Sequence, residues 1–105
     1  MQQVTISGTL LSDAENCVDK NQRSYIRFTV TCGDNDENGR SIYTHYRCTC
    51  YIAGYEKMKK GDQVFVTGKQ KIRLGQTAQG EPKINIDVMV FQISGGRRAD
   101  QRNTR

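Results

Sequence analysis

The sequence lacks any apolar run long enough to cross a membrane, and its N-terminus lacks the charged and then apolar pattern of a secretory signal. We therefore expect a cytoplasmic protein with no membrane partner. Histidine occurs once, as His45, and no carboxylate or serine stands at a spacing that would make it catalytic. Paired acids, a nucleophile beside a base and a phosphate-binding loop are also missing, which argues against an enzyme.

The cysteines are few and scattered, at Cys17, Cys32, Cys48 and Cys50. In a cytoplasmic protein they are expected to be reduced thiols. A zinc site that includes His45 is the alternative, but the two neighbouring cysteines are separated by one residue, whereas a zinc knuckle needs two. We therefore expect neither a metal ion nor another cofactor.

Positive charge is in excess, with 16 Lys and Arg against 11 Asp and Glu, a net charge of +5 and a pI near 9.2. This balance favours a polyanionic partner. Residues 95–105 hold four arginines and one aspartate, which leaves +2 for the rest of the chain. We predict one folded domain over residues 1–94, followed by a basic disordered tail over residues 95–105. A domain of this size is near the lower limit for a stable monomer, so an oligomer is expected.

Alternation of apolar and polar residues predicts five β-strands, at residues 4–10, 24–32, 42–51, 63–73 and 83–93. The phase of the last strand blurs near Val88 and Met89, as a β-bulge would cause. Two glycine-rich segments, residues 33–41 and 74–82, are predicted to be flexible loops.

A short helix is predicted between the third and fourth strands. Residues 52–60 lose the two-residue period, and Ile52, Tyr55 and Met58 fall three apart before Gly61. Tyr55 and Met58 would form its buried side. Five strands, this helix and the glycines inside the first and fourth strands, Gly8 and Gly68, predict an all-β, five-stranded OB-fold barrel. An SH3-like barrel is the alternative, and the position of the helix favours the OB-fold.

The third and fourth predicted strands each combine one apolar face with one cationic face. A sheet that holds both strands would present rings and positive charges together, which suits single-stranded nucleic acid. The alternatives are ordinary surface aromatics and a solvated edge that discourages strand pairing. The candidate binding residues are Tyr43, His45, Arg47, Tyr51, Lys69, Lys71 and Arg73.

Four segments resemble bacterial single-stranded DNA-binding proteins (the SSB family). KGDQVFVTG at residues 60–68 resembles their K-G-x-x-V-x-V-x-G, and ISGTL at residues 6–10 resembles their opening I-x-G-x-L. IRFTV at residues 26–30 and YRCTCY at residues 46–51 resemble two of their strands. The resemblance spans residues 4–94 in order, and it implies an OB-fold homotetramer that coats single-stranded DNA in replication, recombination or repair.

The same resemblance implies roles for particular residues. Arg47 matches the family's strand-three arginine and Tyr51 its stacking aromatic, whereas His45 falls where the family has a tryptophan, a residue absent from this chain. The chain lacks the family's long linker with an acidic tip, so partner recruitment through such a tip is not expected. This short form also resembles primosomal replication protein N, a dimeric relative that acts in replication restart. A restart adaptor that mainly contacts replication proteins is therefore the alternative function, and dimer and tetramer both stay open.

Overall fold

Five long strands and one short strand make up the structure. The computed structural model describes residues 2–95, and this part of the chain contains no helix. The strands are β1 (Gln2–Leu10), β2 (Glu15–Val18), β3 (Ser24–Asn35), β4 (Ser41–Cys50), β5 (Gln63–Gln76) and β6 (Pro82–Gly95). The predicted tail begins at Gly95, and the remainder of it lies outside the described residues.

The sheet closes on itself because β1 pairs on both sides. β1 runs antiparallel to β5 along most of its length, and its last two residues, Thr9 and Leu10, also pair with β3. The remaining neighbours are β5 with β6, β6 with β4, and β4 with β3, while β2 adds to the outer edge of β3. β4 and β6 are parallel over residues 47–50 and 87–90. The predicted five-stranded all-β barrel of the OB-fold type is confirmed.

Glycine at position 8 allows β1 to turn from β5 to β3. A Cβ atom there would overlap the backbone carbonyl oxygen of Thr31 and lie 2.9 Å from a methyl carbon of Val30. The backbones of β1 and β3 can therefore approach closely only where the side chain is absent. This explains why the first strand has a glycine, Gly8, in its interior.

One apolar core fills the barrel. Its members alternate along the strands with exposed residues, as expected for strands that bury a single face. Burial of such a side chain stabilises the fold by about 1.5–3 kcal/mol. The buried residues are Ile6, Leu10, Ile26, Phe28, Val30, Cys48, Cys50, Tyr55, Met58, Val64, Val66, Val88, Val90 and Ile93.

The predicted helix over residues 52–60 is wrong, because this segment consists of turns. Tyr55 and Met58 are nevertheless buried, as predicted. The Tyr55 hydroxyl donates a hydrogen bond to the carbonyl of Ile93, and the Met58 carbonyl accepts one from the amide of Ala14. The Met58 amide donates to the Tyr55 carbonyl at 3.3 Å, so the two residues belong to one turn and have the spacing of a helix face, although no helix continues from it.

Two hairpins are longer than predicted. β3 and β4 continue to a tight turn closed by Asp36, whose carboxylate accepts hydrogen bonds from the amides of Asn38 and Arg40. β5 and β6 continue to a turn at Thr77, whose hydroxyl accepts from Gln79 and Glu81. Four of the nine residues in each segment predicted as a loop are thus paired strand.

The bulge expected in the last strand lies slightly later than predicted. Thr67 is opposite Gln92 while the next residue, Gly68, is opposite Val90, so Phe91 is the extra residue. The shift allows Val90 and Ile93 both to reach the core although they are three positions apart, which would put them on opposite faces of a regular strand.

All four cysteines lie within the described residues and are free thiols. Burial raises the pKa of the Cys48 thiol to about 12, and burial also raises the pKa of Cys50. Both thiols therefore stay protonated at neutral pH and behave as small apolar core residues. No helix in residues 2–95 is long and apolar enough to cross a membrane.

Candidate nucleic-acid interface

The outward faces of four adjacent strands form one continuous surface. Thr29 of β3 is opposite Arg47 of β4, Arg47 is opposite Asp87 of β6, and Asp87 is opposite Lys71 of β5. Residues directly opposite each other in a sheet point to the same face. Arg47 and Lys71 therefore lie on the same side of the barrel, although 24 residues separate them in the sequence. We call this outward surface of β3, β4, β6 and β5 the strand face.

Asp87 links two of the candidate cations. The Nε–H of Arg47 donates to one carboxylate oxygen of Asp87 at 3.1 Å, and the Nε–H of Arg73 donates to the other at 2.6 Å. Burial alone would raise the pKa of Asp87, but the hydrogen bonds from Arg73 and Arg47 outweigh it and lower the pKa. Asp87 is thus a carboxylate at neutral pH, and it neutralises part of the charge of the arginines.

Lys69 and Lys71 lie on the same face of β5 as Arg73. Both are exposed, and no carboxylate within residues 2–95 lies at ion-pair distance from either ammonium group. Their opposite residues on β6 are Met89 and Asp87, respectively. The two lysines therefore present full charges to solvent, along a line suited to a polyanion.

Tyr43 and His45 occupy the part of the strand face nearest the β3–β4 turn. Tyr43 is 64% exposed and stands opposite Gly33, where a Cβ atom would lie 3.2 Å from the tyrosine ring. The ring thus lies over bare backbone. His45 is exposed, and its Nδ1 shares a hydrogen bond of 3.0 Å with the hydroxyl of Thr31. That contact orients the imidazole ring. The other ring nitrogen, Nε2, has no hydrogen bond to any of residues 2–95, so it can meet a ligand.

Tyr51 follows the end of β4 and forms an aromatic cluster with Tyr25 of β3. Its ring centroid lies 5.0 Å from that of Tyr25, and the Arg23 guanidinium lies 5.0 Å from the same ring. Its hydroxyl donates to Asp19 at 3.0 Å, and Asp19 also binds Arg23. Part of the ring is therefore already covered, whereas Tyr43 is the more open of the two tyrosines.

The Asp19 carboxylate should make stability depend on pH at the acid end. Hydrogen bonds from the backbone amide of Arg23 and from the Tyr51 hydroxyl lower its pKa in the folded protein. The stabilisation is therefore present above the unfolded pKa and is lost as pH falls through the folded value. We expect Tyr51→Phe to raise the pKa of Asp19, measured by NMR titration of its carboxyl carbon.

Tyr43→Phe is the control for that measurement, since it removes a hydroxyl far along the sheet from Asp19. An unchanged Asp19 pKa in the Tyr51→Phe protein would mean that the hydroxyl contact does not persist in solution.

A groove of about 1020 Å³ lies beside the strand face, between the segment that follows β1 and the strands β3 and β4. Its charged lining is balanced in sign. The cations are Arg27, Arg47 and Lys60, and the acids are Asp13, Glu15 and Asp87. Arg27 pairs with Glu15 at 3.5 Å.

The sequence analysis missed several residues that complete this surface. Asp87 is not among the predicted site residues, because its contacts depend on pairings between distant strands. Tyr25 and Arg27 of β3 are not among the predicted site residues either, and both lie on the strand face. No sequence pattern indicates a role for Asp19 and Arg23, because they contact Tyr51 only through the turn between β2 and β3.

Metal-ligand geometry does not appear at His45. Among residues 2–95, no group of three or more His, Cys, Asp or Glu side chains is arranged to hold a metal ion.

Comparison with known proteins connects this surface to one family. A sequence model described as the single-strand binding protein family matches residues 1–94. A solved structure described as "Plasmodium falciparum SSB complex with ssDNA" superposes with a TM-score of 0.68 at 14% sequence identity, covering 92% of this chain and 96% of that chain. At that identity the likeness is one of fold. A search of curated proteins gave no match.

Proposed function

Because its match covers residues 1–94, this chain belongs to the single-strand binding protein family, and we propose that it binds single-stranded DNA through the strand face. Members of this family bind nucleic acid and are not enzymes. The observation that carries the proposal is the convergence of aromatic rings and exposed cations from β3, β4 and β5 on one side of the barrel.

The chemistry of the strand face suits unpaired bases with little sequence preference. Tyr43 and His45 offer ring faces on which any base can stack, and Tyr51 extends the track beyond β4. Lys69 and Lys71 meet phosphates as point charges, while Arg47 and Arg73 can offer paired N–H donors. Stacking and backbone neutralisation do not depend on base identity, so binding to oligonucleotides of different sequence should be similar.

The test is a titration of labelled oligo-dT, duplex DNA and RNA of equal length at two salt concentrations. Tight binding to oligo-dT with a steep salt dependence supports the proposal. Equal binding to the duplex contradicts it, because paired bases cannot stack on the rings.

Tyr43→Ala should weaken binding to oligo-dT about tenfold, since base–aromatic stacking contributes roughly 1–3 kcal/mol per base. Tyr43→Phe keeps the ring and should bind like the natural protein. Fluorescence anisotropy measures both. Equal losses in the two variants would show that the hydroxyl, and not the stacking surface, makes the contact.

We assign the cellular role to the coating of exposed single strands in replication, recombination or repair. One observation favours the alternative of a replication-restart adaptor that contacts DNA only weakly. All five arginines between residues 2 and 95 pair with carboxylates of the same chain, so the free positive charge of the folded domain is modest. Binding that is weak alone and strong only with a replication protein would support the adaptor.

We also propose that copies of this chain associate into a dimer or tetramer. Phe65 is 55% exposed on β5 and Phe91 is 48% exposed on β6. Aromatic residues are enriched where proteins meet. Light scattering of the purified protein measures the mass, and a monomer at all concentrations would refute association.

A further inference from the structure

Asp87 is a carboxylate in the middle of a surface that is proposed to bind phosphates. It stands opposite Arg47 on one side and Lys71 on the other, and it bonds the guanidinium of Arg73 on the next row. Nothing in the core requires a charge there, since its side chain points outward and is 34% exposed. Its presence therefore needs an explanation in terms of the surface.

The candidate cations fall into two classes because of this carboxylate. Arg47 and Arg73 each give their Nε–H to Asp87, at 3.1 and 2.6 Å. Lys69 and Lys71 have no carboxylate partner within the described residues. The ammonium groups of the lysines can therefore bind phosphate directly, whereas each arginine already donates its Nε–H to Asp87.

A carboxylate and a phosphate present similar oxygen pairs to a guanidinium. A phosphate that binds Arg47 or Arg73 in the bidentate manner through Nε–H must therefore compete with Asp87 for that donor. The exchange is feasible because the arginine side chains are 56% and 45% exposed, and ion pairs at that exposure are weak.

We propose that Asp87 is an internal competitor of the DNA backbone for Arg47 and Arg73, and that it thereby sets the affinity of the strand face. The inference rests on the proposed function. In the free protein Asp87 holds both guanidiniums, and in the complex a phosphate replaces it on one or both of them. The arrangement lowers affinity for every polyanion, single-stranded DNA included, so stacking on the rings must supply a larger share of the binding free energy.

Asp87→Asn tests the inference, because it removes the charge while keeping the shape. We expect oligo-dT to bind roughly fivefold to tenfold more tightly, as two exposed ion pairs no longer oppose binding. The salt dependence should also steepen by about 0.7 in the slope of log K against log salt, the value for one more phosphate neutralised on a single strand.

Glu37→Gln is the matched control. It makes the same change in net charge at the β3–β4 turn, where the Glu37 side chain has no ion pair within residues 2–95. The unfolding midpoint of each variant is measured first, and Asp87→Ala replaces Asp87→Asn if the amide destabilises the barrel. An affinity for oligo-dT that is equal to that of Glu37→Gln, or lower, would overturn the inference.

A double-mutant cycle that combines Asp87→Asn with Arg47→Gln is a second test of the competition, with affinity for oligo-dT as the measured quantity. If Asp87 competes for Arg47, the loss of affinity on Arg47→Gln should be larger in the Asp87→Asn background than in the natural protein. Equal losses in both backgrounds would refute the competition while leaving the proposed function intact. If neither the natural protein nor Asp87→Asn binds oligo-dT at low salt, the inference and the proposed function both fail.

Discussion

Replacing Lys69, Lys71 and Arg73 together with glutamine is expected to weaken binding to oligo-dT about 100-fold at about 0.1 M salt. The three side chains lie on the outward face of β5 and would each neutralise one phosphate. Each such contact on a single strand contributes about 0.7 to the slope of log K against log salt, so the slope should fall by about 2. Anisotropy titrations at several salt concentrations measure both quantities.

The control is a triple variant with the same loss of charge placed elsewhere. Lys20, Arg40 and Lys57 lie in turns and not along β5, and all three are exposed. Their replacement by glutamine should reduce long-range attraction and leave the salt slope almost unchanged. If both triple variants lose the same affinity and the same slope, net charge alone governs binding and the strand face has no special role.

Gly68→Ala is expected to destabilise the barrel by about 3 kcal/mol, at the upper end of the cost of overpacking. An added Cβ atom would overlap the carbonyl oxygen of Met89 and lie 2.8 Å from a methyl carbon of Val88. The clash is with backbone, so no rotamer change can relieve it. A loss of that size is about a third of the total stability of an ordinary domain. Urea unfolding followed by circular dichroism measures it.

Gly75→Ala on the same strand separates this clash from the general effect of removing a glycine. A Cβ atom at Gly75 would lie 3.1 Å from the amide nitrogen of Asn85, which is the end of a rotatable side chain. We expect its free energy of unfolding to stay close to that of the natural protein. If Gly68→Ala lowers the free energy of unfolding as little as Gly75→Ala, the close approach of β5 and β6 at Gly68 can relax.

Much of the barrel could be predicted because its strands bury one face. Alternation in residues 24–32 and 63–73 gave the inward side chains, and the glycines at positions 8 and 68 marked the places where strands come close. The hairpin arms beyond Cys32 and Arg73 could not be predicted in the same way. They leave the core, so their outer residues, such as Leu74 at 82% exposure, no longer follow the burial pattern.

The contacts within the candidate site could not be predicted from the sequence, for a different reason. Alternation predicted which residues point outward, and the cations predicted from it do share one face. The pairing of Asp87 with Arg47 depends on the parallel register of β4 and β6, which no local pattern encodes. The helix over residues 52–60 failed because Tyr55 and Met58 are held by distant partners in β6 and before β2.

The double pairing of β1 affects the chain while it is being synthesised. Thr5 pairs with Thr67, which lies 62 positions later, so β1 is synthesised well before β5 can cover its edge. During that interval β1 is open to pairing with other nascent chains. Cys48 and Cys50 stand beside Val88 and Val90 of β6, so their full burial also requires that β6 has been added to the sheet.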